Sequence, residues 1–212
     1  MATARTARWW MITAGLVAAG ACTTALGGSV PASSYLLSVK NLPRGFSVQS
    51  RTTLSRKELN ASGGTNPCTG AVAAPNHAHY TSGAEIVFAN NNDMTNIDES
   101  VVLGTPIKGV QLDMNAGYAQ FLTCRTVAMD GLNWTISPTT AVHRISNGAR
   151  VGVVVLSTTY QGLPFEAGLA LAQRGHAGLT VLYGDLMSND VHLADRRTLS
   201  FALRAIGRLP RH

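Results

Sequence analysis

From Thr126 onward, turn residues punctuate the chain so often that only strands fit between them. Strand-forming runs at Thr126–Met129, Asn133–Ser137, Val142–Ser146, Val151–Tyr160, Phe165–Arg174 and Leu179–Tyr183 alternate with Asp130-Gly131, Asn147-Gly148, Gly162 and the Gly175 to Gly178 stretch. Gly, Asn and Asp supply the backbone conformations that tight reversals need. Connections this short permit only antiparallel pairing. Val151 to Leu156 is apolar at nearly every position, which predicts a central strand covered on both faces. Phe46–Leu54, Glu85–Ala89 and Ile97–Leu103 read as further strands, the last two joined by the Asn90 to Asp93 turn.

Helical periodicity appears in two longer segments. Thr105-Pro106 reads as a capping hydroxyl followed by proline at the first helical position. Ile107, Val110, Met114, Gly117, Tyr118 and Phe121 follow at helical spacing, giving an apolar stripe to dock on a sheet. A closing helix is predicted over Asp195–Leu209, with Leu199, Ala202, Leu203, Ile206 and Leu209 inward and Arg197, Arg204 and Arg208 outward. Tyr35 to Val39 reads as a brief helix, and residues 55–83 as loop. The sum is one α+β domain: an antiparallel sheet, expected to curve, packed against two or three helices.

The amino-terminal 33 residues do not belong to that domain. Arg5 and Arg8 precede an uncharged run, Trp9 to Ala21, that ends in the small residues Ala19-Gly20-Ala21 just before Cys22. This is the layout of a secretory signal over residues 1–21, and the run is too short for a comfortable membrane-spanning helix. The Cys at the cleavage point resembles the bacterial lipobox, in which that Cys takes a diacylglyceryl or palmitate-bearing group. The usual motif has Leu three residues earlier, where this chain has Ala19. Two readings stand: lipidation at Cys22, or a plain cleaved signal with a Cys beside it. Residues 22–33, small and Gly/Pro-bearing, read as a flexible tether, and residues 34–212 as a single domain.

Cysteine arithmetic supports lipidation. If Cys22 carries lipid, Cys68 and Cys124 remain as an even pair in an oxidising compartment, where a disulfide is expected. On the chain-entropy model such a loop stabilises by about 4 kcal/mol, less any strain. The expected address is the outer face of a membrane, reached through the lipid. The net charge of +6 is scattered, which suits loose contact with anionic head groups. Nucleic acid is not an expected partner, because no aromatic-basic stripe is present.

Reactive constellations are sparse. His77 and His79 form a His-x-His pair, but nothing nearby in sequence supplies the remaining ligands, so no metal is expected. No Gly-x-Ser-x-Gly elbow, Cys-x-x-Cys or phosphate-binding glycine fingerprint occurs. Asp185, Asp190, His192 and Asp195 read first as a capped helix-entry loop and second as a ligand rim. Trp134, Tyr160, Phe165 and Tyr183 fall on expected strands. They are core aromatics unless the sheet curves away from its helices, in which case they line a hydrophobic cleft.

Several stretches carry a resemblance. They are Tyr35-Leu-Leu-Ser-Val-Lys-Asn-Leu-Pro-Arg-Gly-Phe46, Asn66-Pro-Cys68, Ser100-Val-Val-Leu103, Ala119-Gln-Phe-Leu-Thr-Cys124 and the Leu-rich terminal helix. Together they resemble actinobacterial, chiefly mycobacterial, envelope lipoproteins of the sensor-domain type, which are similar to the extracellular sensor domain of the kinase PknH. The kinase ectodomain has two disulfides where this chain can form one. The resemblance implies an α/β sandwich with a curved antiparallel sheet, a groove for an unidentified ligand, and no enzymatic activity or cofactor. The leading expectation is therefore a non-catalytic envelope lipoprotein that binds a small or lipidic ligand, or a partner protein, beside its sheet. The alternatives are an interaction module without a cavity and a wall or lipid hydrolase.

Overall fold

A computed structural model describes residues 30–60, 68, 75–129, 132–137, 142–144, 149–186 and 188–210. The expected signal, Cys22 and most of the tether lie outside the described residues. Among the described residues nine strands form one sheet: β1 (Ser47–Leu54), β2 (His79–Asn90), β3 (Thr95–Thr105), β4 (Thr126–Met129), β5 (Leu132–Ser137), β6 (Val142–Arg144), β7 (Arg150–Tyr160), β8 (Leu163–Arg174) and β9 (Ala177–Leu186). Their order is β1-β2-β3-β9-β8-β7-β5-β4, with β6 also paired to β7. Every pairing is antiparallel, and β7, β8 and β9 form successive hairpins. The α+β class and antiparallel sheet expected from the turn spacing are both present.

Three helices accompany the sheet: α1 (Arg56–Leu59), α2 (Ile107–Leu122) and α3 (Val191–Ile206). Helix α3 and the amino-terminal segment cover one face. There Phe201, Ala202 and Ile206 meet Phe88, Ile97, Val153, Ala170, Val181 and Tyr183, with Leu36 and Leu37 beside them. Helix α2 and the β4–β5 hairpin cover part of the other, where Phe121, Val127 and Trp134 meet Val154, Leu156, Leu169 and Leu182. Val151 to Leu156 is buried at every position, because β7 lies between the two layers. Two glycines permit close approach. Thr198 of α3 occupies the space a Cβ on Gly168 would need, and the Tyr118 ring of α2 does the same at Gly152.

Several boundaries differ from the sequence expectation. Ala32–Ser34 and Val39–Asn41 are 3-10 turns, where Tyr35 to Val39 reads as helix in the sequence. Ala32 is already fully buried, so packing begins ahead of Ser34. Within 55–83, Ser55 opens α1 through a reciprocal capping box with Glu58, and β2 starts as early as His79. Pro106, not Thr105, is the residue that precedes α2, and no side chain caps that end. Ile107 and Leu203, both expected inward, are exposed. Helix α3 begins four residues before Asp195, with the Asp190 carboxylate accepting from the Leu193 N–H. Cys68 and Cys124 are joined in a disulfide with Cα atoms 5.6 Å apart, tying the loop before β2 to the end of α2.

Candidate functional site

The β2–β3 hairpin separates its side chains strictly by alternation. Ala84, Ile86, Phe88, Ile97, Val101 and Leu103 enter the core under α3. Their neighbours Glu85, Val87, Asn96, Asp98 and Ser100 face the opposite side, and all are only partly buried. Register sets Glu85 opposite Ser100, Val87 opposite Asp98, and Ser100 opposite Thr180 of β9. Glu85 and Asp98 are thus diagonal neighbours across one strand pair, within reach of each other. The result is a partly covered polar stretch of sheet surface on β2, β3 and β9, termed the trough. Met114 of α2 closes one end, against Gly178 and Val102. Phe165 stands at the other, beside Gly184 and Asn96.

Burial pushes the Asp98 carboxyl up to about 8, and the charges of Glu85 and Glu99 push the same way. At neutral pH Asp98 therefore carries a proton and can donate as well as accept a hydrogen bond. A recessed carboxyl held neutral among hydroxyls is the kind of perturbed group that concentrates at functional sites.

Other polar clusters have structural work. Asp113 of α2 accepts from the His77 and Ala78 N–H groups (2.8 and 3.0 Å) and from the Tyr80 hydroxyl (2.9 Å), and its carboxylate lies 2.8 Å from His77 Nδ1. It pins the start of β2 to α2. Burial, and next the Asp113 charge, raise the Tyr80 phenol. His77 is engaged with Asp113 while His79 stands exposed at the start of β2. Among the described residues no group of three His, Cys, Asp or Glu could hold a metal ion.

At the other end of the sheet, Tyr183 donates to Asp185 (2.9 Å) and accepts from Arg197 (2.6 Å). Burial, the largest influence, pushes the Tyr183 phenol up to about 12. Asp190 caps α3, His192 is exposed on its first turn, and Asp195 is half-buried. This is a helix-entry arrangement.

The four aromatics singled out in the sequence do not share one surface. Trp134 is fully buried and packs edge-to-face on Phe165 at 5.0 Å between ring centres, on the α2 side. Tyr183 lies on the opposite face, 5.7 Å from Phe201 of α3. Tyr160 is exposed at the tip of the β7–β8 hairpin. Only Phe165 reaches the trough. The polar floor was missed in the sequence. Its signal is the alternation Asn96, Asp98, Ser100 against Ile97, Glu99, Val101. A second recess, between Gln111, Met114 and Tyr118 of α2 and Arg150 and Gly152 of β7, holds about 30 Å³. That is room for a water molecule and not for an acyl chain.

A scan of known family models and a search of curated proteins both find no match. Among solved structures, the extracellular domain of PknH from Mycobacterium tuberculosis superposes with a TM-score of 0.55 at 12% identity, covering 82% of this chain and 94% of that one. The chain has the fold of that extracellular domain. The Rv0999 ortholog from Mycobacterium smegmatis is also similar, with a TM-score of 0.44 at 13% identity over 80% of this chain and 93% of that one. Among the described residues no helix is long and apolar enough to cross a membrane.

Proposed function

We propose that this chain is a non-catalytic domain of the extracytoplasmic envelope, lipid-anchored at Cys22, that binds a small polar ligand in the trough over β2, β3 and β9. The observation that carries the reading is Asp98, a carboxyl kept neutral by burial on a face whose other polar side chains are only partly covered. Glu85 is a second carboxyl on this surface, Ser100 and Thr180 carry hydroxyls, and Val87 and Phe165 are its partly buried apolar side chains. Such a lining suits a ligand with several hydroxyl or amino groups, which can both donate to Glu85 and accept from Asp98. Likeness to a fold used as an extracellular domain supports the address, as does the signal-like amino terminus.

Amide chemical-shift mapping of the mature protein tests the reading. The probes are hexoses, N-acetylhexosamines, amino acids and polyamines at millimolar concentration. At least one class is expected to move the amides of Glu85, Asp98, Ser100 and Thr180, with the response lost in Asp98→Ala. Silence of the trough across all four classes, or shifts confined to the α3 face, would remove it.

A further inference from the structure

Residues 30–42, which include the last residues of the expected tether, lie as a strap across the α3 face. Ala32, Leu36 and Leu37 are buried in the main core, and Tyr35 and Leu42 pack against it. Hydrogen bonds to other elements hold this strap in place. The Ala32 N–H donates to Ser82 Oγ of β2 (3.0 Å) and the Leu37 N–H to Glu99 Oε2 of β3 (2.7 Å). Arg204 donates to the Asn41 carbonyl (2.8 Å), and Arg208 to the carbonyls of Tyr35 and Ser34 (3.2 and 3.3 Å).

Glu99 is the unusual member. It is fully buried in the middle of the sheet, between Ile86 and Val181 of the adjoining strands. One carboxyl oxygen serves the strap. The other, Oε1, is buried without a hydrogen-bond partner among the described residues. A core carboxyl under a cover is costly when ionised, unless the cover lifts and admits water. The charged groups around it are Arg51 of β1, Arg208 beyond α3, and Asp98 on the reverse side of β3.

We propose that residues 30–42 form a releasable strap, latched by protonated Glu99 and loosened when that carboxyl ionises beneath it.

The sign follows from the two states. With the strap down, burial is the largest influence on Glu99 and outweighs the Leu37 N–H and the two arginines, raising the group to about 7. With the strap lifted, water reaches the carboxyl and it returns toward 4.5. Protons are bound more tightly in the closed state. Closure is therefore favoured in mild acid and weakens as pH rises from 4.5 through about 7. A freed strap adds up to about 40 Å of reach to the chain preceding the sheet. For a protein held at Cys22, that changes how far the domain stands from its attachment.

Hydrogen–deuterium exchange of the mature protein, corrected for the intrinsic pH dependence of exchange, tests the strap directly. Leu37 and Ala32 are the reporter amides. Their protection is expected to fall on the order of a hundredfold between about pH 5 and pH 8, while β7, β8 and β9 keep theirs. Glu99→Gln keeps the acceptor for Leu37 without a charge, and its strap should stay protected at both pH values. Asp98→Asn should leave the wild-type strap response in place, separating the two carboxyls. Ser82→Ala should loosen Ala32 equally at both pH values. The proposal is overturned if the strap amides exchange only with the core strands at every pH. It is equally overturned if Glu99→Gln responds to pH as the wild type does. Should Glu99→Gln not fold, the wild-type pH series alone still decides, since the proposal requires the strap to open before the core.

Discussion

The two faces of the β2–β3 hairpin are made from alternate residues of the same strands, yet they are built for different ends. The α3 face carries Ile86, Phe88, Ile97 and Val101 and is sealed by a helix and the amino-terminal strap. The α2 face carries Glu85, Val87, Asn96, Asp98 and Ser100 and stays partly open. Farther along the sheet the contrast disappears, because β7 and β8 are apolar and buried on both sides. Cover decides the difference. Helix α2 lies over one end of β3 and over β7 to β9, leaving the remaining floor only partly covered. Each face of the hairpin also carries a carboxyl raised above its ordinary range: Glu99 on the sealed side and Asp98 on the open side.

Truncation of adjacent residues should break this contrast most visibly. Phe88→Ala removes a fully buried ring from the sealed face and is expected to cost about 3–5 kcal/mol in urea unfolding. Val87→Ala, one residue away on the open face, should cost about 1 kcal/mol or less. Equal losses would mean that the faces are equally packed.

Replacing Cys68 and Cys124 together with Ser should cost about 2–4 kcal/mol, by releasing the loop tied to the end of α2. Because the cross-link lies on the α2 side, exchange protection should fall first in α2 and the start of β2, before the α3 face responds.

The open face also carries a pH signature. Asp98 binds its proton more tightly folded than unfolded, so stability is highest below its ordinary value of 3.8 and declines as pH rises through about 8. Asp98→Asn should flatten that decline, gaining about 1–3 kcal/mol at alkaline pH relative to wild type. Thermal unfolding of both proteins across pH measures it, and parallel slopes would count against a desolvated Asp98.

The smallest expected effect belongs to the sealed face. Asp190→Ala removes the carboxylate that accepts from the Leu193 N–H and should cost about 1 kcal/mol, with fraying confined to the first turn of α3.

How much of this was legible in the sequence depends on where specificity resides. The hairpins of β7, β8 and β9 were readable, because Gly162 and Gly175 mark reversals and apolar runs fill the intervals. The start of β2 was not readable, since Thr81-Ser82-Gly83 has the small, polar composition of a loop and becomes strand only through its partners. Helix α1 did leave a signal, the Ser55-x-x-Glu58 capping box, hidden inside a stretch dominated by turn residues. Cap chemistry also marks Asp190 as well as Asp195, and only packing on β8 and β9 chooses the earlier start. The aromatics show the limit most plainly. Residue type places Trp134, Phe165 and Tyr183 on strands, but which face each takes depends on strand register and on where the helices land. Glu99 is the same case: alternation puts it beside Ile97 and Val101, and nothing local says that this is the sealed side.

One measurement addresses the contrast between the faces most directly: a carboxyl-carbon NMR titration of Asp98 in the purified protein. The expected midpoint is about 8, with the resonance moving little through the ordinary carboxylate range. A midpoint near 3.8 would show a fully hydrated surface aspartate, and the recessed trough would lose its defining group.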